Sequence, residues 1–244
     1  MTLDYSRLYA KFHPDEPGHR HGLALLHQRM LGPHLPVERS AAILDVGCGR
    51  GYALQDLAAL GYTRLAGIDP DAGQVAFARG LQLDVAQVED TVAFLTARPE
   101  AYAVILLMDV LEHLPRDAQP GLLRAIARSL QPGGRLICSV PNAGSAIASF
   151  WLHNDYTHHW SFTADSLSFL LEQSGLARVR CLGVEFFPRP RFLFWLPTGR
   201  TIAWWLRCGL RLRQRAAYVA ELGWSRGRAV VLTPNLLAVA DKAG

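Results

Sequence analysis

Ile43-Leu44-Asp45-Val46-Gly47-Cys48-Gly49-Arg50-Gly51 is the stretch that decides the fold of this 244-residue chain. Ala42–Val46 reads as a short buried strand that breaks at Gly47. Glycines at 47, 49 and 51 let the following turn pass close to a ligand and open into a helix N-terminus, here Tyr52–Leu60. The next apolar run, Leu65–Ile68, ends at Asp69-Pro70. A carboxylate at that place in a strand–turn–helix–strand unit accepts two hydrogen bonds from a ribose diol. A dinucleotide fingerprint would want G-x-G-x-x-G, whereas position 52 is Tyr, followed by Ala53 and Leu54.

Outward from this loop the chain alternates short apolar runs with helical periodicity. Helices are expected at Gly73–Arg79, Pro120–Leu130 and Ala164–Ser174, the last with Thr163 as N-cap and Gly175 as stop. Strands are expected at Leu83–Gln87, at the continuous apolar run Tyr102–Met108, at Arg135–Val140 and at Leu236–Ala240, the last inserted antiparallel. Gln131-Pro132-Gly133-Gly134 should end the helix before Arg135. This rhythm predicts an α/β fold with a doubly wound, mostly parallel seven-stranded sheet. Residues 1–40 form an N-terminal helical cap with a helix around Leu23–Leu31, residues 41–185 the core, 186–228 a helical lid or insert, and 229–244 the final strand.

Half of the residues are hydrophobic and 19% are charged, a composition that excludes disorder. Cys48, Cys138, Cys181 and Cys208 are widely spaced, as suits reduced thiols in a cytoplasmic protein, and no signal-peptide core is indicated at the N-terminus. His13, His19, His21, His27 and His34 match no standard metal spacing and are read as solvated or substrate-facing. Residues 1–177 carry 13 Lys and Arg against 18 Asp and Glu, whereas 178–228 carry 11 arginines against Glu185 and Glu221. That clustering points to an anionic partner. Pro188, Pro190, Pro197 and the arginines leave no span of ~20 apolar residues for a transmembrane helix. Arg207, Arg211 and Arg215 share one helical stripe, while Ile202, Trp205, Leu206, Gly209 and Leu210 form the other face. Such a helix either packs on its own protein as a lid or dimer element, or lies peripherally on the inner face of a membrane.

The loop at 43–51 with Asp69 resembles motif I and its successor in the class I (Rossmann-like) S-adenosylmethionine-dependent methyltransferases. Three further segments carry the likeness: Val88-Glu89-Asp90, Met108-Asp109-Val110-Leu111-Glu112-His113-Leu114-Pro115, which is similar to a D-x-L-E-H-L/V motif, and the Leu130–Gly134 turn. The resemblance runs from about Ala41 to Ser174. It implies S-adenosylmethionine as cofactor, contacted by Asp45, Gly47, Cys48, Gly49, Asp69, Pro70, Asp109 and Val110, with Glu89 or Asp90 on the adenine amine.

Methyl transfer is an in-line displacement from a sulfonium, so the protein must align the acceptor and remove a hydroxyl proton. Glu112, His113, His153, Asp155, His158 and His159 follow strands four and five, where ligands bind in open α/β folds. Of these, His113, His158, His159 and Glu112 are the catalytic candidates. Asp109-x-x-Glu112-His113 with downstream His158 is also similar to the E-x-x-E-H pattern of small-RNA terminal 2′-O-methyltransferases and ubiquinone-pathway O-methyltransferases. That likeness implies a magnesium or manganese ion on Asp109, Glu112, His113 and His158 that acidifies a diol hydroxyl. A metal-free histidine base and a packing role for the motif remain open beside it. For the acceptor, the arginine-rich tail favours a sugar hydroxyl of a cell-envelope glycan or glycolipid precursor. Alternatives are a lipophilic phenol or quinone precursor, RNA (disfavoured, for want of a nucleic-acid-binding module), or a silent fold used as a binding module.

Overall fold

The computed structural model describes residues 16–187 and 198–243. The described chain runs α1 (Pro17–Leu31), β1 (Ile43–Val46), α2 (Tyr52–Ala59), β2 (Leu65–Asp69), α3 (Ala72–Gly80), β3 (Val85–Gln87), α4 (Thr91–Thr96) and β4 (Tyr102–Met108). There follow α5 (Gln119–Ser129), β5 (Leu130–Pro141), α6 (Ala148–Asn154), α7 (Ala164–Gln173), β6 (Leu176–Val184), α8 (Gly199–Leu222), α9 (Trp224–Ala229) and β7 (Asn235–Lys242). Seven strands form one sheet in the order β3-β2-β1-β4-β5-β7-β6, with β7 antiparallel to both neighbours. The fold class, the strand count and the antiparallel insertion of the last strand are those expected from the sequence.

Period-two alternation along the strands builds a core on each side of the sheet. Leu44, Val46, Ile105, Leu107, Leu136 and Cys138 face α4, α5 and α7, meeting Leu95, Leu123, Ile126 and Leu167. Ile43, Val104, Leu106, Ile137 and Val239 face the other way, against Leu31 of α1 and Leu57 of α2. A sheet covered on both faces is why β4 is apolar at every position. The helix starts are chemically marked too. Asp71 caps α3, Asp90 caps α4, and Thr163 caps α7 through a reciprocal box with Ser166.

Several expected boundaries shift. The cap helix begins at Pro17 rather than near Leu23, since a proline suits the first helical position. Residues 131–134 do not form a free-standing turn. Leu130 pairs with Tyr102 and Arg135 with Val104, so the residues between them bulge from β5, with Gly133 at φ 71°. The last strand starts at Asn235, one residue before the expected Leu236, and the long helix of the insert spans Gly199–Leu222. His13 and residues 188–197 of the insert lie outside the described residues. The sheet order reverses between β1 and β4, and the crevice at their C-terminal ends is where the motifs converge.

Candidate functional site

The turn after β1 is stitched to β2. The Gly47 and Cys48 amides donate to the Ile68 carbonyl at 2.8 and 3.1 Å, and Gly51 N–H donates to Cys48 O at 2.8 Å. Gly47, Gly49 and Gly51 all have positive φ. At two of them the packing is equally demanding. A Cβ on Gly47 would stand 2.6 Å from Val110 Cγ2, and one on Gly51 would stand 2.5 Å from Leu83 Cδ1. Motif I and the segment after β4 therefore touch directly through Gly47 and Val110.

Asp69 ends β2 with both carboxylate oxygens engaged: Oδ2 accepts from Gly49 N–H at 2.8 Å and Oδ1 from Asp71 N–H at 2.9 Å. It shapes the turn as well as facing the crevice, and each oxygen keeps a lone pair for a further donor. Burial raises its pKa, against the lowering effect of those two amides. Asp45, in β1, is buried, and its Oδ1 finds no hydrogen-bond partner among the described residues. Burial, with the nearby Asp69 charge, pushes its pKa up to about 7. A buried carboxylate without a partner is costly unless a ligand completes it. The glycine cradle and this orphaned carboxylate fit S-adenosylmethionine, a cofactor that brings both positive charge and a ribose. Cys48 is buried beside them, its thiol held in the protonated form by burial and the two carboxylates. Pro70 and Glu89 are exposed at the ends of β2 and β3, whereas Asp90 spends Oδ1 on the Ala93 amide as the cap of α4.

Beyond β4, Asp109 takes a left-handed backbone, φ 53°. Its N–H donates to Ser139 O at 3.0 Å, and its Oδ1 accepts from Ser139 Oγ at 3.0 Å and Asn235 Nδ2 at 3.1 Å. The protein crowding its carboxylate raises the pKa, opposed by Ser139 and by His158. Glu112, three residues on, is fully buried, and neither carboxylate oxygen has a partner among the described residues. Burial, with the Asp109 charge, lifts its pKa well above the ordinary carboxylate range.

Glu112, His113 and His158 each place a ligand atom within 4.8 Å of the other two. The rings of His113 and His158 meet edge to face, 4.7 Å between centroids. His158 Nδ1 lies 2.9 Å from the Trp151 carbonyl and so donates its proton there, making Nε2 the basic nitrogen of the neutral ring. Asp155 Oδ2 lies 4.0 Å from that Nε2. His113 is fixed in the same tautomer by a relay. Asp155 Oδ1 accepts from both Thr157 N–H, at 2.8 Å, and Thr157 Oγ–H, at 2.6 Å. Thr157 Oγ then accepts from His113 Nδ1 at 2.8 Å. Burial and the neighbouring His158 lower the His113 pKa to about 4.

Three sequence candidates stand apart. Asp109 lies outside the three-residue cluster, with its Oδ1 held by Ser139 and Asn235. His159 is exposed and contributes its backbone N–H, donated to Glu112 O at 2.8 Å. His153 is likewise exposed, at the end of α6. Thr157, Ser139 and Asn235 were not foreseen. A serine inside the apolar run of β5 is a legible signal, whereas Asn235 arrives from a strand 126 positions away in sequence and leaves none.

The family profile described as a methyltransferase domain matches residues 18–180. The chain is 35% identical over 165 residues to a ubiquinone biosynthesis O-methyltransferase of Dinoroseobacter shibae, covering 60% of this chain and 64% of that protein. To a protein of the same name from Roseobacter denitrificans it is 33% identical over 179 residues, covering 66% and 69%. The chain thus spans a little under two thirds of the first relative's length. Among solved structures it resembles an S-adenosylmethionine-dependent methyltransferase from Archaeoglobus fulgidus, with TM-score 0.70 and 20% identity over 98% of this chain and 100% of that one. It also resembles phosphoethanolamine N-methyltransferase 2 of Haemonchus contortus, solved with S-adenosylmethionine, with TM-score 0.60 and 14% identity over 100% and 61%. With the profile covering two thirds of its length, on the sheet and crevice described above, this chain belongs to the methyltransferase-domain family of class I S-adenosylmethionine-dependent methyltransferases.

Proposed function

We propose that this protein methylates a hydroxyl of a lipophilic phenol that carries a neighbouring hydroxyl, with a divalent ion, magnesium or manganese, held by Glu112, His113 and His158. The convergence of those three side chains within 4.8 Å carries the reading. Bound S-adenosylmethionine supplies a methyl group already activated on a sulfonium. Asp45, Asp69, the glycine turn and Glu89 hold and orient it against the β4–β5 edge. A divalent ion among two imidazoles and a carboxylate supplies Lewis acidity that lowers the pKa of a coordinated hydroxyl. Glu112 fits that ligand role because a fully buried carboxylate without partners is otherwise kept protonated. Both histidines present Nε2 as the basic atom, since Trp151 O and Thr157 Oγ take the Nδ1 protons. The relatives' names favour a phenolic acceptor over the sugar hydroxyl that the arginine-rich tail suggests. Nothing in the site or in the relatives supports a glycan.

A second reading drops the ion. The Asp155–Thr157–His113 relay orients one imidazole to take the acceptor proton at Nε2, as a general base does. One assay separates the two. Methyl transfer from labelled S-adenosylmethionine is followed to a catechol bearing an alkyl tail, to the matching mono-ol and to a monosaccharide, before and after chelation. The metal reading expects catechol methylation that falls at least about a hundredfold on chelation and returns with magnesium or manganese. Activity that survives full chelation, on catechol and mono-ol alike, leaves the histidine base. Methylation of the sugar alone overturns the phenolic acceptor.

A further inference from the structure

Helix α8 is 24 residues long, and among them only Thr201 is buried. An amphipathic helix of a water-soluble domain turns its apolar stripe inward and its charges outward. Here the arrangement is reversed. Arg211 makes a two-pronged contact with Glu185, at 2.6 and 3.3 Å, and Arg207 stands 3.9 Å from the same carboxylate. Arg215 donates to the carbonyls of Gly227 and Arg228, while Gln214 and Tyr218 donate to Gly144 O, in the loop after β5. The polar stripe is therefore the anchored one. On the opposite side Ile202, Trp205, Leu206, Gly209, Leu210 and Arg213 line an open groove, with Leu206 70% exposed and Trp205 53% exposed. Contiguous apolar surface of this kind marks an interaction site.

Charge selects the occupant. Glu185 is taken up by Arg207 and Arg211, and Arg226 stands 3.8 Å from Asp165, whereas Arg213 stands exposed on the apolar face itself. A second copy of this chain, joined face to face about a two-fold axis, would bring the Arg213 of each copy into the same contact. Anionic lipid headgroups complement that charge, and an apolar face with tryptophan and an arginine is a composition that settles at a bilayer interface. No described helix is long and apolar enough to cross a membrane, so the contact is along the surface.

We propose that α8 is a membrane-surface helix that seats the protein on an anionic bilayer through Ile202, Trp205, Leu206 and Leu210, with Arg213 at the headgroups. The proposal stands apart from the identity of the methyl acceptor. It is tested on the full chain by co-sedimentation with vesicles of phosphatidylglycerol and phosphatidylcholine in equal parts, and with phosphatidylcholine alone. Wild type should bind the mixed vesicles and lose most of that binding on phosphatidylcholine. Leu206→Glu/Leu210→Glu should weaken binding at least about tenfold, and Arg213→Glu about fivefold, both with unchanged thermal unfolding because these side chains are exposed. Three results overturn it: no vesicle binding by wild type, binding that survives Leu206→Glu/Leu210→Glu, or a vesicle-independent dimer that the same substitution dissociates.

Discussion

Buried without a hydrogen-bond partner at Oδ1, and with its pKa pushed up to about 7 by burial and by Asp69, Asp45 is a group that folding alone does not favour. A carboxyl that binds its proton more tightly when folded stabilises the protein most at low pH. That contribution falls as pH rises from the ordinary carboxylate value of 3.8 and levels off above about 7. The protein without cofactor should therefore lose stability across this window, by up to a few kcal/mol, from Asp45 alone. Asp45→Asn cannot ionise, so its unfolding midpoint should be less sensitive to pH there and should exceed that of wild type at pH 8. Its affinity for S-adenosylhomocysteine should drop at least about tenfold, the cost of losing one charged hydrogen bond. Thermal unfolding at pH 5 and pH 8 with matched calorimetric titrations checks both. A variant no more stable at pH 8, binding as tightly as wild type, removes Asp45 from the cofactor site.

At the scale of elements, the β5–β7–β6 edge is pinned by one carboxylate. Asp241 of β7 accepts from Arg135 Nε of β5 at 2.8 Å and from Arg178 Nε of β6 at 2.9 Å. Burial would raise its pKa, but the two guanidiniums overcome that and hold it below the ordinary value. A lowered carboxylate contributes stability in full above its unfolded pKa, and the contribution is lost as pH falls through the folded value. Asp241→Asn should thus cost about 1–2 kcal/mol at pH 7, discounted for the exposure of Arg178, with the gap to wild type closing in the acid range below pH 4. Denaturant unfolding at pH 7 and pH 3 reads this, and a gap that persists at pH 3 would assign the cost to packing. This edge is also where the sequence was least legible. Leu176-Ala177-Arg178-Val179-Arg180 alternates arginines with modest apolar residues, and a register shift places Arg178 at φ 51°, so β6 lacks the clean apolar run that announced β4. The strands buried on both faces, and helices with chemical caps such as Thr163, were readable because burial and capping each restrict residue choice locally.

Across the whole molecule, the site is assembled from segments that sequence order keeps apart, and this limits what could be read in advance. The glycine turn, Asp69 and the Glu112-His113 pair each carry their own local pattern. The relay through Thr157, the Asn235 contact to Asp109 and the outward turn of the α8 apolar face depend on how distant elements dock. The same dispersal makes cofactor binding a global stabiliser, because a ligand held between the β1 turn, β2 and the β4 edge binds only the folded state. Excess S-adenosylhomocysteine at about a hundred times its Kd should add roughly 2.7 kcal/mol to unfolding. For a domain of this size that corresponds to a rise of about 5–10 °C in Tm. Asp69→Ala should abolish the rise. It also removes the acceptor for the Gly49 and Asp71 amides, so its Tm without ligand should fall as well. The two effects are separable by comparing each protein with and without ligand. If Asp69→Ala lowers the baseline yet keeps the full ligand-induced shift, Asp69 serves the turn alone and the ribose contact belongs to another residue.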